Sequence, residues 1–201
     1  MTAEQTVKTP ARLGEVVQSS TAQFVASCHR LYEAPALGTL VKCGNGTIVY
    51  GVVADVRTQS IDPGRKPIAM GGNDESEEAV YRRNPQISRL LTTEFTAVSA
   101  GYKAGGRVRR YLPPLPPRIH SFVLQCSMEE LAEFTASMDF LPAMLSAPVG
   151  HPDDMVASFL RLASEAHPDP DAFLVTAGKE LSRQLNGQWQ RLNGILKRLS
   201  S

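Results

Sequence analysis

Residues 47 to 58, TIVYGVVADVRT, carry β-branched or apolar side chains at nearly every position. A run of that texture reads as one long strand. Because its apolar residues do not alternate with polar ones, both of its faces must be covered, at least in part. Gly51 interrupts it, and a glycine inside a strand marks a bulge or a tight bend of the kind that turns a barrel corner. The segment just before it, CGNGT, places Asn45-Gly46 where a hairpin turn is needed. That dipeptide predicts a type I′ turn with positive φ at both central residues. A β-rich architecture follows from this stretch alone.

Other strands gather around it. Leu13 to Gln18 and Gln23 to Cys28 form an opening pair, and Thr39 to Cys43 follows a turn marked by Pro35 and Gly38. TTEFTAVSAGY, residues 92 to 102, is another strand, and two more flank the proline-rich LPPLPP. That proline run is expected to be a rigid connector rather than a polyproline ligand. Residues 61 to 73 form a Pro- and Gly-rich loop. Residues 74 to 91 read as a helical insertion broken at Pro85, with Asp74, Glu75, Glu77 and Glu78 at the end the helix dipole favours. NDESEE is expected to be a solvated helix start and carries no assigned function. Residues 1 to 10 are polar and expected to be disordered.

The texture changes after Cys126. Ser127 and Glu130 form a capping box, and helices are expected over 128–138, 152–166 and 170–199. Asp169 and Pro170 start the last one. Its apolar positions from Phe173 through Leu185, Trp189 and Leu192 to Leu199 recur at three and four, which predicts one buried stripe containing Trp189. The chain divides into residues 11–126, rich in strands, and the helical residues 127–201.

Twenty-one Lys and Arg oppose twenty Asp and Glu. This balance gives no global field toward nucleic acid or anionic lipid. No apolar run approaches a membrane span, and the first residues lack the apolar core of a signal peptide. Cys28, Cys43 and Cys126 are odd in number and lack CxxC spacing, as expected of reduced, buried thiols in a cytoplasmic protein. There is no phosphate loop, no dinucleotide fingerprint and no HExxH. His151 and His167 each precede a proline, so both are expected in surface loops at helix boundaries. Catalytic, metal and cofactor residues are therefore not assigned, and the chain is expected not to be an enzyme.

The best polyanion candidate is KAGGRVRRY. In an extended strand Arg107 and Arg109 share a face, with Tyr111 beside them, a set suited to phosphate contact and base stacking. Arg110 and, further off, Arg82 and Arg83 could extend it. A charged edge strand that resists aggregation is the plainer reading.

RLGEVVQSSTAQFVASC, APALGTLVKC and IVYGVVADV together resemble the HAS-barrel, the barrel at the N-terminus of HerA-type DNA translocases and of rotary ATP synthase catalytic and non-catalytic subunits. The likeness rests on Gly14 and Val16, Phe24, Leu37-Gly38 and Gly51 to Val53, and covers about residues 12 to 130. It implies an α+β chain: a small closed six-stranded antiparallel barrel, then a helical region. It also implies structural roles for Gly14, Gly38 and Gly51, and the expected turn gives one to Gly46. In those families an ATPase core follows the barrel, and no such core follows here. The role that carries over is assembly: contact with a protein partner such as a NurA-like nuclease or a ring component, or self-association as a homo-oligomer. Arg107, Arg109, Arg110, Tyr111 and Trp189 are the expected contacts. Nucleic-acid binding through residues 103–111 is the alternative, and an enzyme with an unfamiliar site is the next.

Overall fold

The computed structural model describes residues 12–200. The disorder expected of residues 1 to 10 lies outside them. The fold class is α+β. Strands β1 (Arg12–Ser19), β2 (Gln23–Cys28), β3 (Leu40–Cys43), β4 (Ile48–Ser60), β5 (Leu91–Ala104), β6 (Arg107–Arg109) and β7 (Phe122–Gln125) make one antiparallel sheet. Its order is β2-β1-β7-β3-β4-β5-β6, and β2 also pairs with β5, so the sheet rings round. β6 is the strand beyond the expected six, and it adds only to the end of β5.

Successive residues of a strand point to opposite faces, and the long β4 uses both. Val49 and Val53 face inward beside Val16, Phe24, Val41 and Phe95. Tyr50, Val52 and Ala54 face outward into a second core shared with the C-terminal helices. This is why the run is apolar without alternation. Gly51 lies on the inward face, where a Cβ would stand 2.7 Å from the Phe24 ring and 3.0 Å from Ala97 Cβ. The β4–β5 register shifts between Tyr50 and Gly51, the mark of a bulge.

Helices α1 (Glu77–Arg83) and α2 (Ile87–Leu90) sit in the β4–β5 connection. The remaining helices are α3 (Met128–Thr135), α4 (Leu141–Leu145), α5 (Pro152–Ser164), α6 (Pro170–Gln184) and α7 (Trp189–Leu199). Ser127 and Glu130 close the capping box of α3, and Glu130 also pairs with Lys42 of β3. The outer core is aromatic: Phe134 lies 5.1 Å from Tyr50 and 5.5 Å from Phe140, with Phe159 5.2 Å from Phe140. Gly38 binds sheet to helices. Its φ is +83°, and a Cβ there would meet the Phe159 amide nitrogen at 2.6 Å.

Three expectations need correction. The β3–β4 connection is a hairpin, but not of type I′: positive φ falls at Gly44 and Gly46, not at Asn45. Cys43 pairs with Val49, so residues 44–48 form a longer loop than the two-residue turn. The helix expected over 170–199 breaks at Leu185, with Gly187 at φ +81°. A left-handed glycine ends the helix there. α7 restarts at Trp189, whose side chain is 67% exposed rather than on the buried stripe. Phe173, Ala177, Leu181, Leu185, Leu192 and Ile195 are the stripe residues that reach the core. The short α4 was not foreseen, because five residues after Phe140 are too few to show a period.

Candidate docking surface

Beyond Ala54, β4 changes character. Val56 to Gln59 are exposed, and the two strands continue as a ribbon to the Ser60–Leu91 pair. Residues 61–90 hang from this stem, and the Ile61 amide donates to Leu90 O across its neck at 2.9 Å. Local chemistry orders the insertion. Asp62 Oδ1 accepts from the Gly64 amide at 3.0 Å, turning the loop. Ser76 caps α1 by accepting from the Ala79 amide. The Asp74 carboxylate is 1% exposed and pairs with Arg83 at 2.8 Å. Tyr81 of α1 hydrogen-bonds the hydroxyl of Tyr32, which is itself anchored by its amide to Thr93 Oγ1 at 2.9 Å.

The result is an open groove of about 1060 Å³ between loop 61–70, α1 and α2. Tyr32, Ile61, Ile68, Met70, Val80 and Leu90 line it. Ile68 is 78% exposed, Ile61 59% and Leu90 54%. Arg65, Lys66 and Arg89 stand at the same groove. Among the described residues Arg65 pairs with Asp62 at 3.4 Å, while Lys66 and Arg89 have no ion-pair partner. Contiguous exposed apolar side chains rimmed by polar ones characterise interaction surfaces. Nothing in the sequence period announces this groove. Its residues come from a Pro- and Gly-rich loop, two short helices and a distant tyrosine.

The residues singled out from the sequence lie elsewhere. Arg107 is exposed on β6. Arg109 sits over the Tyr102 ring at 5.5 Å, and Tyr111 meets the same ring edge-on at 5.5 Å with its hydroxyl 3.3 Å from that of Tyr102. Arg109 and Tyr111 are therefore brought together, around a tyrosine that sequence reasoning passed over. Arg110 turns away and donates to the carbonyls of Phe134 and Glu133, the latter at 2.7 Å, capping the end of α3. Arg82 and Arg83 belong to α1, and Arg83 is held by Asp74. Gly14 faces the Ser27 carbonyl, which a Cβ would approach to 2.1 Å, whereas nothing lies within 4 Å of a Cβ at Gly46.

Two polar clusters remain. Glu15 accepts from His120 Nδ1 at 3.0 Å and His29 Nε2 at 3.4 Å, and these bonds hold its carboxyl below the usual range. His167 sits in the connection between α5 and α6, the helix boundary expected, but it is half-buried rather than on the surface: its ring stacks on Phe173 at 4.2 Å and its Nε2 lies 2.8 Å from Thr135 Oγ1. Thr135 donates its own proton to Leu131 O at 2.7 Å, so His167 Nε2 must carry the hydrogen. Burial pushes its pKa down. The cysteines are free. Burial raises the thiol of Cys28 to about 11 and of Cys43 to about 12, and it raises that of Cys126 as well. Such thiols are poor nucleophiles at neutral pH. No helix of the described residues is long and apolar enough to cross a membrane.

The chain matches no protein-family model and no curated protein.

Proposed function

We propose that the protein is a non-catalytic assembly module that docks a protein partner through the 61–91 insertion. The observation that carries this is the groove: Ile61, Ile68, Met70 and Leu90 are held exposed on an ordered stem that the two cores do not need. We read the ring of β1, β2, β5, β4, β3 and β7 as a closed six-stranded barrel with β6 as a flank, in keeping with the HAS-barrel resemblance. In that family the barrel works at contacts between subunits, so a HerA-like ring component or a NurA-like nuclease is the partner class to try first. Raised, unpaired thiols suit a cytoplasmic setting. The nucleic-acid reading has less support, because Arg110 directs its donors to α3 carbonyls and Arg109 lies against Tyr102.

The test is co-purification of the tagged full chain from its host, followed by reconstitution with the purified partner. Wild type should retain the partner, and Ile68→Asp should lose it while melting at the wild-type temperature. A partner held equally by both proteins, or none at all, would overturn the assignment of this surface.

A further inference from the structure

We infer that the groove is self-complementary and takes the same face of a second copy of this chain. This rests on the docking-surface reading above and goes further by naming the occupant. The groove presents apolar side chains with the cations Lys66 and Arg89 at its edge. Beside it, on the same insertion, runs an acidic stretch: Glu75, Glu77 and Glu78 are all exposed. Glu77 lies four residues before the groove-lining Tyr81 on α1, so the two share a helix face. A two-fold contact needs a self-complementary patch, and an apolar centre with charges of both signs beside it can supply one. In the inferred pair the acidic stretch of each copy faces the cations of its mate, and the two-fold axis makes the contact twice. Net charge favours the encounter too. At +1 the chain has almost no long-range repulsion toward its own kind. The apolar side chains supply the affinity, and the charges fix the register.

The geometry yields a charge-swap test that a foreign occupant would not satisfy. Sedimentation velocity is run on the full chain over a range of concentrations. Wild type should show a monomer–dimer equilibrium, and Ile68→Asp should shift it to monomer. Glu75→Lys with Glu77→Lys places cation against cation at both contacts of a dimer. Lys66→Glu with Arg89→Glu places acid against acid. Each variant alone should dissociate at least about tenfold more readily, since facing like charges are strongly unfavourable. An equimolar mixture of the two should restore the dimer, because every contact in the mixed pair is again opposite in sign. A wild type that stays monomeric throughout overturns the inference. So does a mixture that fails to recover, or self-association indifferent to Ile68→Asp. A monomeric wild type that still needs Ile68 for a foreign partner would reject the second copy while leaving the docking surface standing.

Discussion

The two halves of β4 face opposite fates. From Val49 to Ala54 every residue is buried, alternately in the ring interior and under the helices. From Val56 to Gln59 every residue is exposed, and the strand leads out to a loop that keeps large apolar side chains in solvent. The first half has the composition its two cores demand. The second half has no core to serve, yet the insertion it supports is tied together by an ion pair between the buried Asp74 carboxylate and the exposed Arg83, and by a Tyr32–Tyr81 bond. Apolar side chains exposed on such a support are the observation on which the proposed docking role rests.

Substitutions should separate the halves by the size of their effect on stability. The largest belongs to the outer core. Phe134→Ala removes a buried ring that touches Tyr50, Phe140 and Phe159, and should cost about 3–5 kcal/mol in urea unfolding. An inward-facing change comes next. Gly51→Ala presses a methyl on the fully buried Phe24 ring and should cost about 1–3 kcal/mol. Phe24→Leu in the same chain should recover part of that loss, and a double-mutant cycle measures the coupling. Strict additivity would show that the Gly51–Phe24 approach is not what requires glycine.

A pH effect follows from the helical side. His167 has its pKa lowered by burial from the model-peptide value of 6.5. The unfolded chain therefore binds this proton more readily than the folded one. Its contribution to stability is complete above pH 6.5 and is lost as the pH falls below it. Thermal melts should drop between pH 7 and 5 in wild type and drop less in His167→Gln. An equal fall in both would assign the effect to other groups.

The smallest effects are expected outside both cores. Trp189→Ala should change stability by no more than about 0.5 kcal/mol, as for an ordinary surface site. The native fluorescence maximum of Trp189, the only tryptophan, should be solvent-like, given 67% exposure. A blue-shifted maximum would return it to a buried stripe.

Trp189 also shows where the sequence stops being readable. The strands around Phe24, Val41 and Val52 follow from β-branched runs, and the capping box at Ser127 follows from local spacing. Those signals are local because the forces behind them are. The three-and-four spacing of Leu181, Leu185, Trp189 and Leu192 continues across the break at Gly187, so periodicity alone joined two helices into one. Asn186-Gly187 was the available stop signal. The turn at Gly44 to Ile48 was misread because its length is set by pairing between Cys43 and Val49, which the dipeptide does not encode. Arg110 looked like a free cation, and only the tertiary fold shows it capping α3. The groove was not legible at all. Ile61, Ile68 and Leu90 are scattered in segments without period, and they meet only because β4 and β5 close the stem.

Amide hydrogen exchange, compared between the dilute chain and the assembly it forms, tests most directly whether the insertion is the contact surface. Protection should rise at residues 61–70 and 87–91, with little change at 107–111 and 189–199. Protection that appears at 107–111 or around Trp189 while the insertion exchanges as before would contradict the account.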